Sequence, residues 1–267
     1  MQDPSQPSFR EWNARAYHQL STPQTTWGKK VLARLRLRGD ELVLDAGCGT
    51  GRLTGELLPL LPRGRVVGID LSQNMLQNAR QHLRAWFNSG LCLVAGDLLN
   101  LPFVQVFNGV VSTAALHWVL DHDRLFAGLH RVLRPGGWIE AQCGGGPNLA
   151  AFRRRVDALT GDPRFTDFFS EFREPWIFQT VEGAVEVLNR AGFVKVGASI
   201  EAAPTLLDDA QQYREFISNV ILRQHLEAMP SEDLRAAFIE NLVEQAVGDD
   251  PPFSLDYWRL NLSATAG

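Results

Sequence analysis

Cysteine is scarce in this chain. Three residues, Cys48, Cys92 and Cys143, are spread over 267 positions. They form neither a disulfide framework nor a zinc-ligand spacing, and a reducing compartment is the natural reading. No charge sign is in large excess either. Lys plus Arg number 26 against 30 Asp plus Glu, a net of −4, so phosphate-driven nucleic-acid binding is not expected. No run approaches the ~18 consecutive apolar residues of a membrane span. Residues 1–8 (MQDPSQPS) lack the apolar segment of a secretion signal. Internal repeats, low-complexity tracts and His-x-x-His pairs are missing too, and no metal is expected. A cytoplasmic chain without a membrane span or nucleic-acid partner follows as the expectation. What is present, 45% hydrophobic and 21% charged residues, describes a folded protein.

The pattern along the chain alternates. Residues 9–20 and 24–37 carry apolar residues at helical spacing, split by Ser21-Thr22-Pro23, and predict two N-terminal helices. Short apolar runs at 41–46, 65–70, 91–96, 107–113 and 138–143 predict five strands. Helical stretches lie between them: 51–60, 73–87 with Ser72 as N-cap, and one from Asp121 or Asp123 to Arg134, ended by Pro135-Gly136-Gly137. Strands alternating with helices mean βαβ units and a parallel sheet covered on both faces, an α/β fold. Further on, 148–160 and 181–191 read as helices and 192–201 as a strand. Two helices over 208–228 and 231–247 precede a last strand, FSLDYWRLNLSATA. Segment 204–252 interrupts two strands and has few large apolar residues for a core of its own, so it reads as an insertion or lid.

The chemistry is concentrated in Val43-Leu44-Asp45-Ala46-Gly47-Cys48-Gly49-Thr50-Gly51, after a strand and before a helix. Its glycines allow a tight turn and bring a ligand close to bare backbone. Position 52 is Arg, where a dinucleotide fingerprint has Gly or Ala. An acid just before the glycines repels a pyrophosphate and suits a cationic amine. Asp70 ends the second strand, 19 positions after Gly51, the usual place for a carboxylate on ribose hydroxyls. Asp97 ends the third, where it can accept from an exocyclic amine such as that of adenine. Amine, ribose, adenine and no phosphate together describe S-adenosylmethionine.

The segments VLDAGCGTG, VVGIDLSQNML, AGDLLNLPF, VVSTAALHWV and LHRVLRPGGWIE span residues 41–143. With them the chain resembles the class I S-adenosylmethionine-dependent methyltransferases. The W-N-A-x-x-Y start and the A-L-H-W-V segment resemble the small-molecule branch that includes trans-aconitate, juvenile hormone acid and malonyl-carrier-protein methyltransferases. The resemblance implies a Rossmann-like, doubly wound sheet of seven strands, mostly parallel with an antiparallel last strand. One domain over 1–267 then comprises an N-terminal helical cover (1–38), a cofactor-binding core (41–143), a helical lid (204–252) and the last strand (253–266). It implies S-adenosyl-L-methionine as cofactor, with S-adenosyl-L-homocysteine as product. By the same resemblance Gly47, Gly49 and Gly51 line the methionine part, with Asp45 near its amino group. Asp70 takes the ribose, Leu71 and Met75 flank the adenine, and Asp97 with the Leu98 backbone reads its edge. Thr113 stands beside the methionine moiety, and Tyr17 and Gln24 belong to the cover.

His117 and Trp118 follow the fourth strand, facing the implied methyl donor, and are the candidates for the acceptor side, His117 as hydrogen-bond donor or base. His18, His82, His122 and His130 read as solvated helix positions. Cys48 reads as a small packing residue and Cys143 has no evident base. Gly144–Gly146 is either a flexible entrance or a strand-to-helix joint. The aromatic group Phe165, Phe168, Phe169, Phe172, Trp176 and Phe178 reads as a small core or an apolar acceptor pocket. Tyr213, Arg214, Arg223, His225 and Arg259 are the groups able to meet an acidic acceptor, or else ordinary surface charges. A carboxylate is ionised at pH 7 and requires no base. The expected activity is therefore methylation of a small molecule, O-methylation of a carboxylate first. C- or N-methylation of an aromatic or quinone-type acceptor, an NAD-dependent oxidoreductase and a non-catalytic cofactor-binding subunit stand beside it as alternatives. The sequence does not indicate an oligomeric state.

Overall fold

The computed structural model describes residues 11, 12, 14 and 22–267. The five expected strands form the centre: β1 (Leu42–Ala46), β2 (Arg65–Asp70), β3 (Leu91–Ala95), β4 (Phe107–Thr113) and β5 (Leu133–Gly144). They pair in parallel, with β1 between β2 and β4. Val43, Leu44, Val66, Ile69, Val110 and Val111 are fully buried, as strands covered on both faces must be. Behind them come β6 (Phe193–Ala202), β7 (Thr205–Leu206), β8 (Ser254–Leu255) and β9 (Trp258–Ala266). The main sheet has the order β3-β2-β1-β4-β5-β9-β6, and β9 runs antiparallel to both neighbours.

The helices are α1 (Thr22–Arg34), α2 (Arg52–Leu57), α3 (Gln73–His82), α4 (His122–Val132), α5 (Ala150–Thr160), α6 (Thr166–Phe169), α7 (Val181–Arg190), α8 (Ala210–Phe216), α9 (Arg223–Ala228) and α10 (Glu232–Val247). Ser72 Oγ accepts from Met75 N at 3.1 Å and starts α3. Asp121 accepts from Arg124 N at 2.9 Å and starts α4. No helix among the described residues is long and apolar enough to cross a membrane.

Several boundaries differ from the sequence expectation. The helix expected over 73–87 ends at His82, and a separate 3-10 turn follows at Arg84–Trp86. Pro135-Gly136-Gly137 lies inside β5, where Phe107 faces Leu133 and Gly109 faces Trp138 across a register shift. The helix expected over 208–228 is broken by a π-helical stretch, Ile217–Ile221. FSLDYWRLNLSATA is two strands: β8 pairs with β7 in a small ribbon, and only β9 joins the main sheet. Asp256 sits at the break. Its carboxylate accepts from Ala151 N at 2.8 Å, capping α5, whose own N-cap Leu149 has no side-chain acceptor.

Apolar clusters cover the faces of the sheet. A further cluster joins the 204–252 segment to α5 and the aromatic stretch: Phe216, Ile217, Phe238 and Leu242 pack with Phe152, Val156 and Phe165. The inserted helices thus complete a core with their neighbours that they could not build alone.

Candidate active site

The Gly-rich loop is held by β2. Gly47 N and Cys48 N donate to the Ile69 carbonyl at 2.9 and 3.0 Å. A Cβ on Gly47 would lie 2.3 Å from that of Ala115, whereas one on Gly49, at φ +54°, meets nothing within 4 Å. Gly47 is therefore required by packing and Gly49 by its left-handed turn, with its open side toward a cavity. Asp70 fastens the loop from the end of β2: Oδ2 accepts from Gly49 N at 2.8 Å and Oδ1 from Ser72 N at 2.9 Å. Burial raises the Asp70 pKa, opposed by those two N–H groups.

A cavity of about 190 Å³ opens here at the carboxyl ends of the parallel strands, lined by Gly47, Gly49, Asp70, Leu71, Met75, Asp97, Leu98, Thr113 and Trp118. Asp97 also accepts from Leu99 N at 2.9 Å, so it both caps a turn and faces the cavity. Gly51 and Asp45 stand outside the lining. Asp45 is 1% exposed, and its Oδ2 accepts from the Thr54 hydroxyl at 2.6 Å. Burial pushes its pKa up to about 7, with Asp70 adding to the rise. Tyr17 lies outside the described residues; Gln24 is placed in α1.

Among the wall residues not read from the sequence as donor-side groups are Trp12, Arg223 and Gln224. The Arg223 guanidinium lies 4.8 Å from the centre of the Trp12 ring, and Trp12 meets Trp118 edge-on at 5.4 Å. The π-helical stretch is what resets the phase of the chain just before Arg223.

A second, smaller cavity of about 30 Å³ shares Ala114 and Trp118 with the first, and Trp27, His117, Asn148, Trp176, Phe178, Tyr257 and Arg259 complete most of its wall. His117 is buried, and its Nδ1 accepts from Gly144 N at 3.4 Å. Burial, then the charge of Arg259, holds its pKa well below the ordinary histidine value. The neutral ring thus carries its proton on Nε2 and presents a donor.

The other candidates divide. Of the aromatic group, Trp176 and Phe178 line this cavity, while Phe165 packs on Phe238 at 5.1 Å in the core. Arg214 pairs with Glu240 at 2.6 Å, Tyr213 and His225 are buried in the 204–252 segment, and Arg259 alone of the five candidates reaches the second cavity. His122 is not solvated: it is 6% exposed, with Nε2 3.2 Å from the Leu116 carbonyl oxygen. His130 is half-buried against Phe193. Gly144–Gly146 is a packed joint, since a Cβ on Gly145 would lie 2.4 Å from that of Leu260. Burial raises the Cys143 thiol to about 11, an inert packing group.

The sheet order, the Gly-rich loop and the cavity at the carboxyl ends of the parallel strands define an α/β protein with a candidate ligand site. Residues 43–137 match the family model described as a methyltransferase domain. The chain is 30% identical to trans-aconitate 2-methyltransferase of Deinococcus radiodurans over 232 residues, covering 83% of this chain and 85% of that one. It is 29% identical to an uncharacterized methyltransferase of Schizosaccharomyces pombe, over 95% of this chain and 97% of that one. Among solved structures, phosphoethanolamine N-methyltransferase 2 of Haemonchus contortus, in complex with S-adenosyl-L-methionine, superposes with a TM-score of 0.62 at 19% identity, over 95% of this chain and 56% of that one. The chain belongs to the methyltransferase family and is an enzyme of the S-adenosylmethionine-dependent class.

Proposed function

We propose that the larger cavity holds S-adenosylmethionine and that the smaller one presents a small carboxylic acid for O-methylation. The single observation that carries the acceptor assignment is the hydrogen bonding of His117: its Nδ1 lone pair already accepts from Gly144 N, so the other ring nitrogen carries its hydrogen and offers no site for a proton, and a carboxylate requires no base.

The donor cavity fits the cofactor. Gly49 leaves a cradle that a side chain would fill. Asp70 and Asp97 offer acceptors to ribose hydroxyls and an adenine amine, Leu71, 46% exposed, and Met75 offer apolar flanks, and Gly47 and Thr113 border the methionine part. Bound there, the cofactor supplies an electrophilic methyl group on a sulfonium. Trp118, in the wall of both cavities, borders donor and acceptor and excludes water around the reacting atoms. The acceptor oxygen forms the O–CH3 bond as the S–CH3 bond breaks, the electron pair stays on sulfur, and no proton is released. Orientation in line at ~3–3.5 Å is the main contribution required of the protein. The relative from Deinococcus, named for methylation of trans-aconitate, a carboxylic acid, supports this acceptor class.

The test is transfer of an isotope-labelled methyl group to panels of small acids, phenols and amines. Alkali-labile label on acids is expected, since esters hydrolyse in base. Alkali-stable label, confined to phenols, amines or ring carbons, would refute the assignment.

A further inference from the structure

We propose that Glu11 is a positioning residue of the donor site: from outside the cavity it fixes Asp70 and Trp12, and affinity for S-adenosylmethionine depends on it. This rests on the reading of the larger cavity as the donor site.

The amino end of α3 explains why an acid is there. The first N–H groups of a helix have no partner within it. Ser72 Oγ satisfies one, accepting from Met75 N at 3.1 Å. Two others are satisfied from far upstream in the chain: Glu11 Oε1 accepts from Gln73 N at 2.9 Å and Oε2 from Asn74 N at 3.0 Å. Oε2 also accepts from the Ser72 hydroxyl at 2.6 Å. Burial raises the Glu11 pKa, but the Ser72 hydroxyl, the N–H groups of Asn74 and Gln73 and the charge of Arg223 outweigh it and hold the carboxyl below its ordinary value. Glu11 is therefore the anion that the amino end of a helix favours.

Two connections run from Glu11 to the cavity. The first passes through Ser72, which is fully buried. Its N–H donates to Asp70 Oδ1 at 2.9 Å, while Asp70 Oδ2 accepts from Gly49 N at 2.8 Å. Glu11, Ser72, Asp70 and Gly49 thus form one hydrogen-bonded chain, of which Asp70 and Gly49 line the cavity. A carboxylate held in this way meets a ribose without first having to be ordered. The second connection is the backbone. The Trp12 carbonyl accepts from Asn74 Nδ2 at 3.2 Å, which together with Glu11 sets the Trp12 ring in the cavity wall. There the ring meets Trp118 and the Arg223 guanidinium, so segments far apart in sequence close one side of the cavity.

Without Glu11, water can take over the N–H groups of α3, as it does at exposed helix ends. Water does not hold Asp70 or Trp12 in place. The loss therefore falls on binding more than on folding. The linkage is reciprocal: what the donor gains from a docked Glu11–Trp12 pair, docking gains from the donor.

The experiment is calorimetric titration with S-adenosylhomocysteine, below the melting range of every protein compared: unaltered, Glu11→Ala, Asp70→Ala and the double variant. Glu11→Ala is expected to bind about tenfold more weakly than the unaltered protein. In the Asp70→Ala background the same substitution costs about threefold or less, because part of its effect runs through Asp70. Glu11→Gln, which keeps one acceptor oxygen, lies between. A merely structural cap lowers the melting temperature and leaves the dissociation constant of the folded protein where it was. Affinity of Glu11→Ala within about twofold of the unaltered protein overturns the proposal, as does an equal loss in the two backgrounds. If Glu11→Ala fails to fold, Glu11→Gln in the same two backgrounds decides by the same comparison. An unaltered protein that leaves S-adenosylhomocysteine unbound, or an Asp70→Ala variant that binds it equally well, would overturn the donor-cavity reading itself, and the role of Glu11 with it.

Discussion

Asp45→Asn is the substitution whose effect follows most directly from the site. The carboxyl is fully enclosed, with the Thr54 hydroxyl at 2.6 Å, and its pKa is raised to about 7 from an ordinary 3.8. For an acid raised on folding, the native state holds the proton more tightly than the unfolded one. The penalty is absent below about pH 3.8, grows as pH climbs, and levels off above 7. The gap between 3.8 and about 7 corresponds to ~4 kcal/mol at the plateau. Asparagine keeps an oxygen for Thr54 and removes the charge, but adds an amide whose N–H groups need acceptors, a cost of about 1–3 kcal/mol. The net expectation is a variant more stable than the parent by roughly 1–3 kcal/mol at pH 8, or about 3–10 °C in Tm, with the advantage gone by pH 4. Thermal melting of both ligand-free proteins across that range is the assay. Parallel melting curves at every pH would refute the idea that a buried charge at Asp45 limits stability.

Other substitutions test other parts. Asp70→Ala removes the carboxylate that tethers Gly49 and faces the donor cavity; calorimetry with S-adenosylhomocysteine should find affinity weaker by roughly 1–3 kcal/mol, and unchanged affinity contradicts the ribose role. Gly109→Ala places a Cβ 2.2 Å from the Trp138 ring and should cost about 1–3 kcal/mol of stability in denaturant titration; a neutral result means that the ring moves freely. Because His117 is held neutral, kcat should be flat from about pH 6 to pH 9, where neither a carboxylate acceptor nor this ring titrates. A fall in kcat with an apparent pKa in the ordinary histidine range that persists in Asp45→Asn, and so does not report the Asp45 carboxyl, would restore His117 as a base.

The core of the fold was legible because β1 to β4 are short, largely apolar runs, with glycine or acid at or just beyond the ends of β1, β2 and β3, a pattern with few structural solutions. The position of Asp70, the last residue of β2, was legible for the same reason: a parallel strand fixes where its last side chain points, whereas Asp97 lies two residues beyond the end of β3 and is held as the cap of a 3-10 turn. The rest depends on tertiary contact. Asp45 belongs to the same motif, yet its carboxyl turns back toward Thr54 and away from the cavity, which spacing does not encode. His122 looked polar at the start of an amphipathic helix, but it tucks against the Leu116 carbonyl. The helix over 208–228 kept its composition through a π-helical stretch, so nothing local announced that Arg223 would face the donor cavity. Arg259 was visible only as one of five charged or polar candidates; the antiparallel direction of β9 is what singles it out, and strand direction is a property of the sheet.

That direction also decides where the chain finishes. Ala266 pairs with Phe193 at the start of β6 and Thr265 with Trp138, so the tail emerges at the amino-end rim of the sheet, away from both cavities. Tethering the enzyme to a solid support through Gly267 leaves the two openings clear, whereas an attachment near Trp12, which stands in the wall of the larger cavity, obstructs the opening of that cavity.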